Sequence, residues 1–105
     1  MHVVLFKLRD GMDEKKLEDL LAGVRAGIPG LIELHFGANE MKMYEGKCGK
    51  PGGNTHVLVS RHERPAYLAE YQKHPLHRAL ARYLYSFAER APTVMDFHTS
   101  PQPHL

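Results

Sequence analysis

The chain has 105 residues, of which 43% are hydrophobic and 25% charged, with a formal net charge of +2. That length fits one domain with a modest core, since a chain of this size removes only ~60–70% of its unfolded surface from water. The basic residues are scattered among acidic ones, which leaves no cationic stripe for nucleic acid, and no signal peptide or membrane span is visible.

His2 to Arg9 contains Val3, Val4, Leu5, Phe6 and Leu8 and is too apolar on both faces for a solvated strand, so it reads as a central strand covered on two sides. Asp10-Gly11 ends it. Asp13 is a fair N-cap with Glu14 in the first turn, and Leu17, Leu20, Leu21, Val24 and Ile28 recur at helical spacing until Pro29-Gly30. Leu31 to Asn39 is the expected second strand, with Ile32, Leu34 and Phe36 on one face. A glycine-rich connection over residues 40–53 is expected to form a lip over a pocket. It holds the single cysteine, Cys48, which excludes an intramolecular disulfide framework and fits a reducing, cytoplasmic setting. Neighbouring lysines would favour its thiolate, against the plain reading of an ordinary loop cysteine.

Thr55 to His62 is the third strand. Pro65 opens a short helix to about Lys73, and Pro75 opens another carrying Leu76, Leu80, Tyr83, Leu84 and Phe87 to about Arg90. Thr93 to Phe97 is the last strand, and residues 99–105, with two prolines, form a tail beyond a domain of residues 1–98. Strand, helix, strand, strand, helix pair, strand is the split βαβ plan: an α+β, ferredoxin-like antiparallel sheet with helices on one face. Its other face, with a set such as Val3, Leu5, Val57 and Val59, needs a cover that the chain does not supply. A second copy packed on a two-fold axis supplies it, and a homodimer is therefore expected.

The chemistry concentrates in Tyr71-Gln72-Lys73-His74-Pro75-Leu76-His77, where a phenol and two imidazoles meet at a helix junction. His74 near a helix C-terminus reads as a structural or solvent-facing residue. His77, in the first turn of the next helix, is disfavoured as a cation and suited to act as a neutral base. Tyr71, four residues after Tyr67, is equally readable as a core tyrosine. His2 shares strand parity with Val4, Phe6 and Leu8, and His56 with Leu58; if both sets point at the helices, the two imidazoles line one cavity, against the plain reading of two satisfied sheet histidines. A proline interrupts the His74 and His77 spacing and no helical His-x-x-x-His pair has a carboxylate behind it, so neither a metal nor any other cofactor is expected.

Three segments together, His2-Val3-Val4-Leu5-Phe6-Lys7-Leu8-Arg9-Asp10, Thr55-His56-Val57 and Tyr71 to His77, resemble the stress-responsive A/B barrel (Dabb) domain of the dimeric α+β barrel superfamily. The resemblance implies a dimeric barrel. By similarity to the family's polyketide-cyclase members it assigns acid–base roles to His77 and Tyr71. Around them it implies a cavity for a carbonyl-containing, partly apolar substrate, with His2, His56, Val4, Phe6, Leu58 and Val24 as binding residues and a volume of the ~300–1,000 Å³ usual for such sites. The chain departs from those members at Leu20, Leu21 and Val24, where they carry aromatics, at Ala79 and Ala81, where they carry glycines, and at Asn54, where they carry tyrosine. Two functions follow: a cofactor-independent cyclase, isomerase or lyase, or a non-catalytic, stress-associated binding or assembly protein.

Overall fold

The computed structural model describes residues 1–42 and 49–100. Residues 43–48 of the glycine-rich connection, Cys48 among them, and residues 101–105 of the tail lie outside the described residues. In chain order the elements are β1 (His2–Phe6), α1 (Glu14–Gly27), β2 (Leu31–Ala38), a 3-10 turn (Pro51–Gly53), β3 (His56–His62), α2 (Pro65–Lys73), α3 (Pro75–Tyr85) and β4 (Thr93–Asp96). The sheet runs β2-β3-β1-β4 with every neighbouring pair antiparallel, so β1 is central and β3 lies between the two strands joined by α1. This is the expected α+β, ferredoxin-like arrangement. Among the described residues no helix is long and apolar enough to cross a membrane.

Period-two patterning gives the sheet its two faces. His2, Val4 and Phe6 of β1 are buried under the helices, and Leu58 and Ser60 of β3 join them. The alternate residues point the other way in cross-strand pairs, Val3 with Val59 and Met95, Leu5 with Val57 and Thr93. Val3, Leu5, Val57 and Val59 are only half-buried and Met95 is 68% exposed, so this apolar face has no cover among the described residues.

α1 begins where the Asp13 carboxylate accepts from Lys15 N (3.0 Å) and Lys16 N (3.2 Å), satisfying two of the free N–H groups of the first turn. Its stripe of Leu17, Leu21 and Val24 packs with Leu80 and Leu84 of α3 in the core. Val24 and Leu80 are wholly buried, each contributing ~1.5–3 kcal/mol by leaving water, and Leu80→Ala would cost ~2–5 kcal/mol. Gly30 follows the helix with φ 77°, and a Cβ there would lie 2.2 Å from the Tyr67 ring; only glycine lets α2 pack over this turn.

Two segments differ from the sequence expectation. A register shift between Leu31 and Glu33 moves Ile32 out of the core, leaving it 56% exposed while Leu31 packs inward, because one extra residue reverses side-chain parity. α3 ends at Tyr85, short of Arg90, because the following backbone pairs with the end of the first strand: Arg9 N donates to Phe87 O (2.8 Å) and Glu89 N to Lys7 O (2.9 Å). Phe87 still packs on the core from that turn.

Candidate functional site

The α2–α3 junction is built on His74, which closes one helix and caps the next. Its N–H donates to Tyr71 O (3.1 Å) and its Nδ1 accepts from Leu76 N (3.1 Å), so the capping ring must be unprotonated at Nδ1. Pro75 then starts α3 with φ already fixed and no N–H to satisfy. The sharp turn folds His77 back onto Tyr71, with ring centroids 4.4 Å apart.

His77 Nδ1 lies 3.2 Å from Gln72 O. A carbonyl only accepts, so Nδ1 carries the hydrogen and Nε2 of the neutral ring holds the lone pair. Burial lowers the His77 pKa; the Gln72 bond opposes this and the nearby His2 ring adds to it. The outcome is a neutral, base-competent imidazole at pH 7.

Tyr71 has no exposed surface and touches three imidazoles, with centroids 4.4 Å from His77, 4.6 Å from His62 and 6.4 Å from His2. Its hydroxyl makes no well-formed hydrogen bond. Burial pushes the phenol up to about 12, and the Ser60 hydroxyl beside it offsets only part of that effect. Tyr71 is therefore a neutral donor at any ordinary pH. His62 bonds Ser60 Oγ through Nε2 (2.8 Å), and burial, aided by the neighbouring His2, pulls its pKa down to about 4.

His2 lies directly across the β1–β4 ladder from Asp96, and its Nδ1 hydrogen-bonds the Asp96 carboxylate. The His2 side chain is buried at 5% exposure while Asp96 is 50% exposed. His2 and His77 share a cleft of about 90 Å³ between β1 and α3, whose apolar walls include Val4, Phe6 and Leu58. The cleft opens past Tyr85 and Val94, which are 53% and 50% exposed. On the far side of the His2–Asp96 pair a wider cleft of about 320 Å³ is lined by His62, Arg64, Leu68 and Asp96.

Of the residues singled out in the sequence, His2, His77, Val4, Phe6 and Leu58 thus meet at one cleft, and Tyr71 stands behind its rings, outside the lining. Two do not join them. Val24 is wholly buried in the core, and His56 pairs in register with Phe6, four residues along β1 from His2. At ~3.4 Å per residue that separation exceeds the width of a small ligand. His56 stacks on Phe36 (5.4 Å, 13° between planes) and meets Thr55 Oγ1 through Nδ1 (2.7 Å). It lines a separate cleft of about 510 Å³ with Asp10 and Lys50, and burial lowers its pKa against the opposing pull of Asp10. The shared cleft is also smaller than expected. Asp96, Ser60 and His62 were not singled out by the sequence reading, although Ser60 and His62 share the strand parity of His56 and Leu58. Asp96 is legible only from the β1–β4 register. Among the described residues no group of three His, Cys, Asp or Glu side chains is arranged to hold a metal ion.

No curated protein is significantly similar to the chain. Among solved structures it is similar to an Arabidopsis thaliana protein at 24% identity, with 98% of this chain and 97% of that one covered and a TM-score of 0.66. A dimeric ferredoxin-like protein of Thermobifida fusca is 21% identical over 91% of this chain and 88% of its own (TM-score 0.64). A hydroxynitrile lyase from Passiflora edulis is 16% identical over 95% and 94% (TM-score 0.65). At such identities these likenesses establish the fold. The family model of the stress responsive A/B barrel domain matches residues 1–99, and the chain belongs to that family.

Proposed function

We propose that the protein binds a small, partly apolar carbonyl compound in the cleft between β1 and α3 and performs acid–base chemistry on it without a cofactor, as a lyase or isomerase. The observation that carries this reading is the Gln72 bond to His77 Nδ1, which leaves Nε2 as the free base of a half-buried ring on an apolar-walled cleft. Nε2 would take a proton from a hydroxyl or from a carbon next to a carbonyl. Tyr71, buried against the His77 ring, orients that base. A cleft of about 90 Å³ suits a compound of a few heavy atoms better than the extended chain of a polyketide cyclisation. The fold shared with a hydroxynitrile lyase is compatible with such a substrate. A cytoplasmic setting accords with the lone cysteine.

Acetone cyanohydrin is a suitable first probe, with deuterium exchange into acetone as a second. Wild-type protein should release acetone and cyanide, or exchange the methyl protons of acetone, above the buffer rate, and His77→Ala should not. Neither reaction above the buffer rate would sink the catalytic reading. Binding without turnover, seen as saturable perturbation of His77 NMR signals by acetone, would establish the alternative of a binding protein.

The homodimer belongs to the same proposal. Val3, Leu5, Val57, Val59 and Met95 form an apolar face that a second copy would cover isologously. Val57→Glu should dissociate or unfold the assembly, as read by sedimentation. A wild-type chain that sediments as a stable monomer at micromolar concentration would reject it.

A further inference from the structure

The site holds a second imidazole whose arrangement the His77 reading leaves unused. His2 is buried, lies on the wall of the cleft it shares with His77, and is tied by Nδ1 to a carboxylate. The tie is set by the backbone: His2 and Asp96 are directly paired across the two strands, on the helix-facing side of the sheet. Adjacent cross-strand side chains stand within ~5.5 Å at Cβ, so the contact needs no unusual rotamer.

We infer that Asp96 is a positioning residue that holds the Nδ1–H of His2 on its carboxylate and leaves Nε2 for the cleft, so that the ring, when doubly protonated, is the proton-donating partner of His77. The inference rests on the proposed acid–base function and deepens it. Two imidazoles on one small cleft, each with Nδ1 committed elsewhere, leave two Nε2 atoms to divide the labour. For a cyanohydrin the steps balance. His77 Nε2 takes the hydroxyl proton, and the O–H electrons become the second bond of the carbonyl. The carbon–carbon pair leaves with the cyanide carbon, and the imidazolium of His2 gives its Nε2 proton to that carbon. His77 ends protonated and His2 neutral, and water admitted on product release returns the proton from one to the other. Asp96 supplies the countercharge for the His2 imidazolium and prevents the ring from presenting its other nitrogen. Such a pair also suits any aldol-type cleavage in which an oxygen loses a proton and a carbon gains one.

The test uses histidine labelled with ¹⁵N in the full chain. The wild type should show His2 with Nδ1 protonated. Asp96→Ala should abolish that preference, Asp96→Glu should restore it, and His77, held by Gln72, should keep its own tautomer in all three. Unchanged His2 signals in Asp96→Ala would overturn the inference. Asp96→Asn, which keeps the size of the side chain, replaces Asp96→Ala if the latter does not fold. On acetone cyanohydrin, Asp96→Ala should lower kcat ~10–100-fold with KM little changed, less than the ~10²–10⁴-fold typical of losing the proton-transferring group itself. Equal turnover in Asp96→Ala and wild type would also overturn it. If the wild type turns over neither probe, the proposed function fails, and the His2 tautomer alone decides whether Asp96 positions the ring.

Discussion

The two ends of the interface between sheet and helices carry the same residue type on the same sheet face and use it differently. At one end His2, His62, Tyr71 and His77 converge, their rings 4.4 to 6.4 Å from that of Tyr71, and their polar groups are only partly satisfied. At the other end His56 is built into a clamp. Thr55 Oγ1 accepts from Leu8 N (2.9 Å) and meets His56 Nδ1, while Thr55 N donates to Phe6 O (2.7 Å), which ties the end of β1 to the start of β3. Asn54 just before it is held by Arg90 (3.0 Å). Pinned through Nδ1 to a threonine and stacked on Phe36, His56 braces the sheet even though Asp10 and Lys50 share its cleft, whereas the rings around Tyr71 face one another, an arrangement that favours chemistry.

The largest expected effect separates the two ends directly. His77→Ala should lower turnover by ~10²–10⁴-fold, while His56→Ala, outside that cleft, should leave kcat within a few-fold. Equal losses in the two variants would erase the distinction. His74→Ala is a useful control, because losing its cap costs ~0.5–2 kcal/mol of stability without touching the cleft. Its turnover, measured where the variant is folded, should match the wild type.

Thr55→Val probes the clamp. It keeps the shape but removes the acceptor for Leu8 N and the partner of His56, and should cost ~1–3 kcal/mol in denaturant unfolding. An unchanged midpoint would show that the Thr-His pair is not structural.

Acid should act mainly through the clustered end. The folded-state pKa of His62 is about 4 against 6.5 for the free side chain, so the unfolded chain binds that proton first. The contribution to stability is whole above pH 6.5 and is lost as pH falls toward 4. His77 and His56, both lowered, act in the same direction. Tyr71 does the converse in base: its stabilising contribution holds below pH 10 and is lost as pH rises toward 12. NMR titration of His62 checks the first point, and a ring that protonates near pH 6.5 in the folded protein contradicts it.

Tyr71→Phe should have the smallest effect on stability. The hydroxyl it removes is buried without a well-formed partner, so the midpoint should stay level or rise by up to ~1 kcal/mol. A loss of more than that would mean that the Ser60 hydroxyl is a real partner. Turnover should fall less than in His77→Ala, since the ring that orients the base remains.

Much of the fold was legible because local rules fix it. The run of Val3 to Phe6, the Asp13 cap, the helical stripe of Leu17, Leu21 and Val24, and prolines at the first positions of α2 and α3 each act within a few residues. Strand parity likewise grouped His2 with Val4 and Phe6 and His56 with Leu58, and the resemblance singled out Tyr71 and His77. What parity could not supply was position along the strand. Two residues can share a face and still sit four residues apart, and only the antiparallel register put Ser60 opposite His2 and Phe6 opposite His56. The same holds for Asp96, which reaches His2 from 94 residues away in sequence. The size of the cleft and the burial of Tyr71 depend on how α3 rests on the sheet. The shift that exposes Ile32 depends on how β2 meets β3. Periodicity and capping are local and therefore written in the chain, whereas register and enclosure are relations between distant segments that exist only once the core has closed.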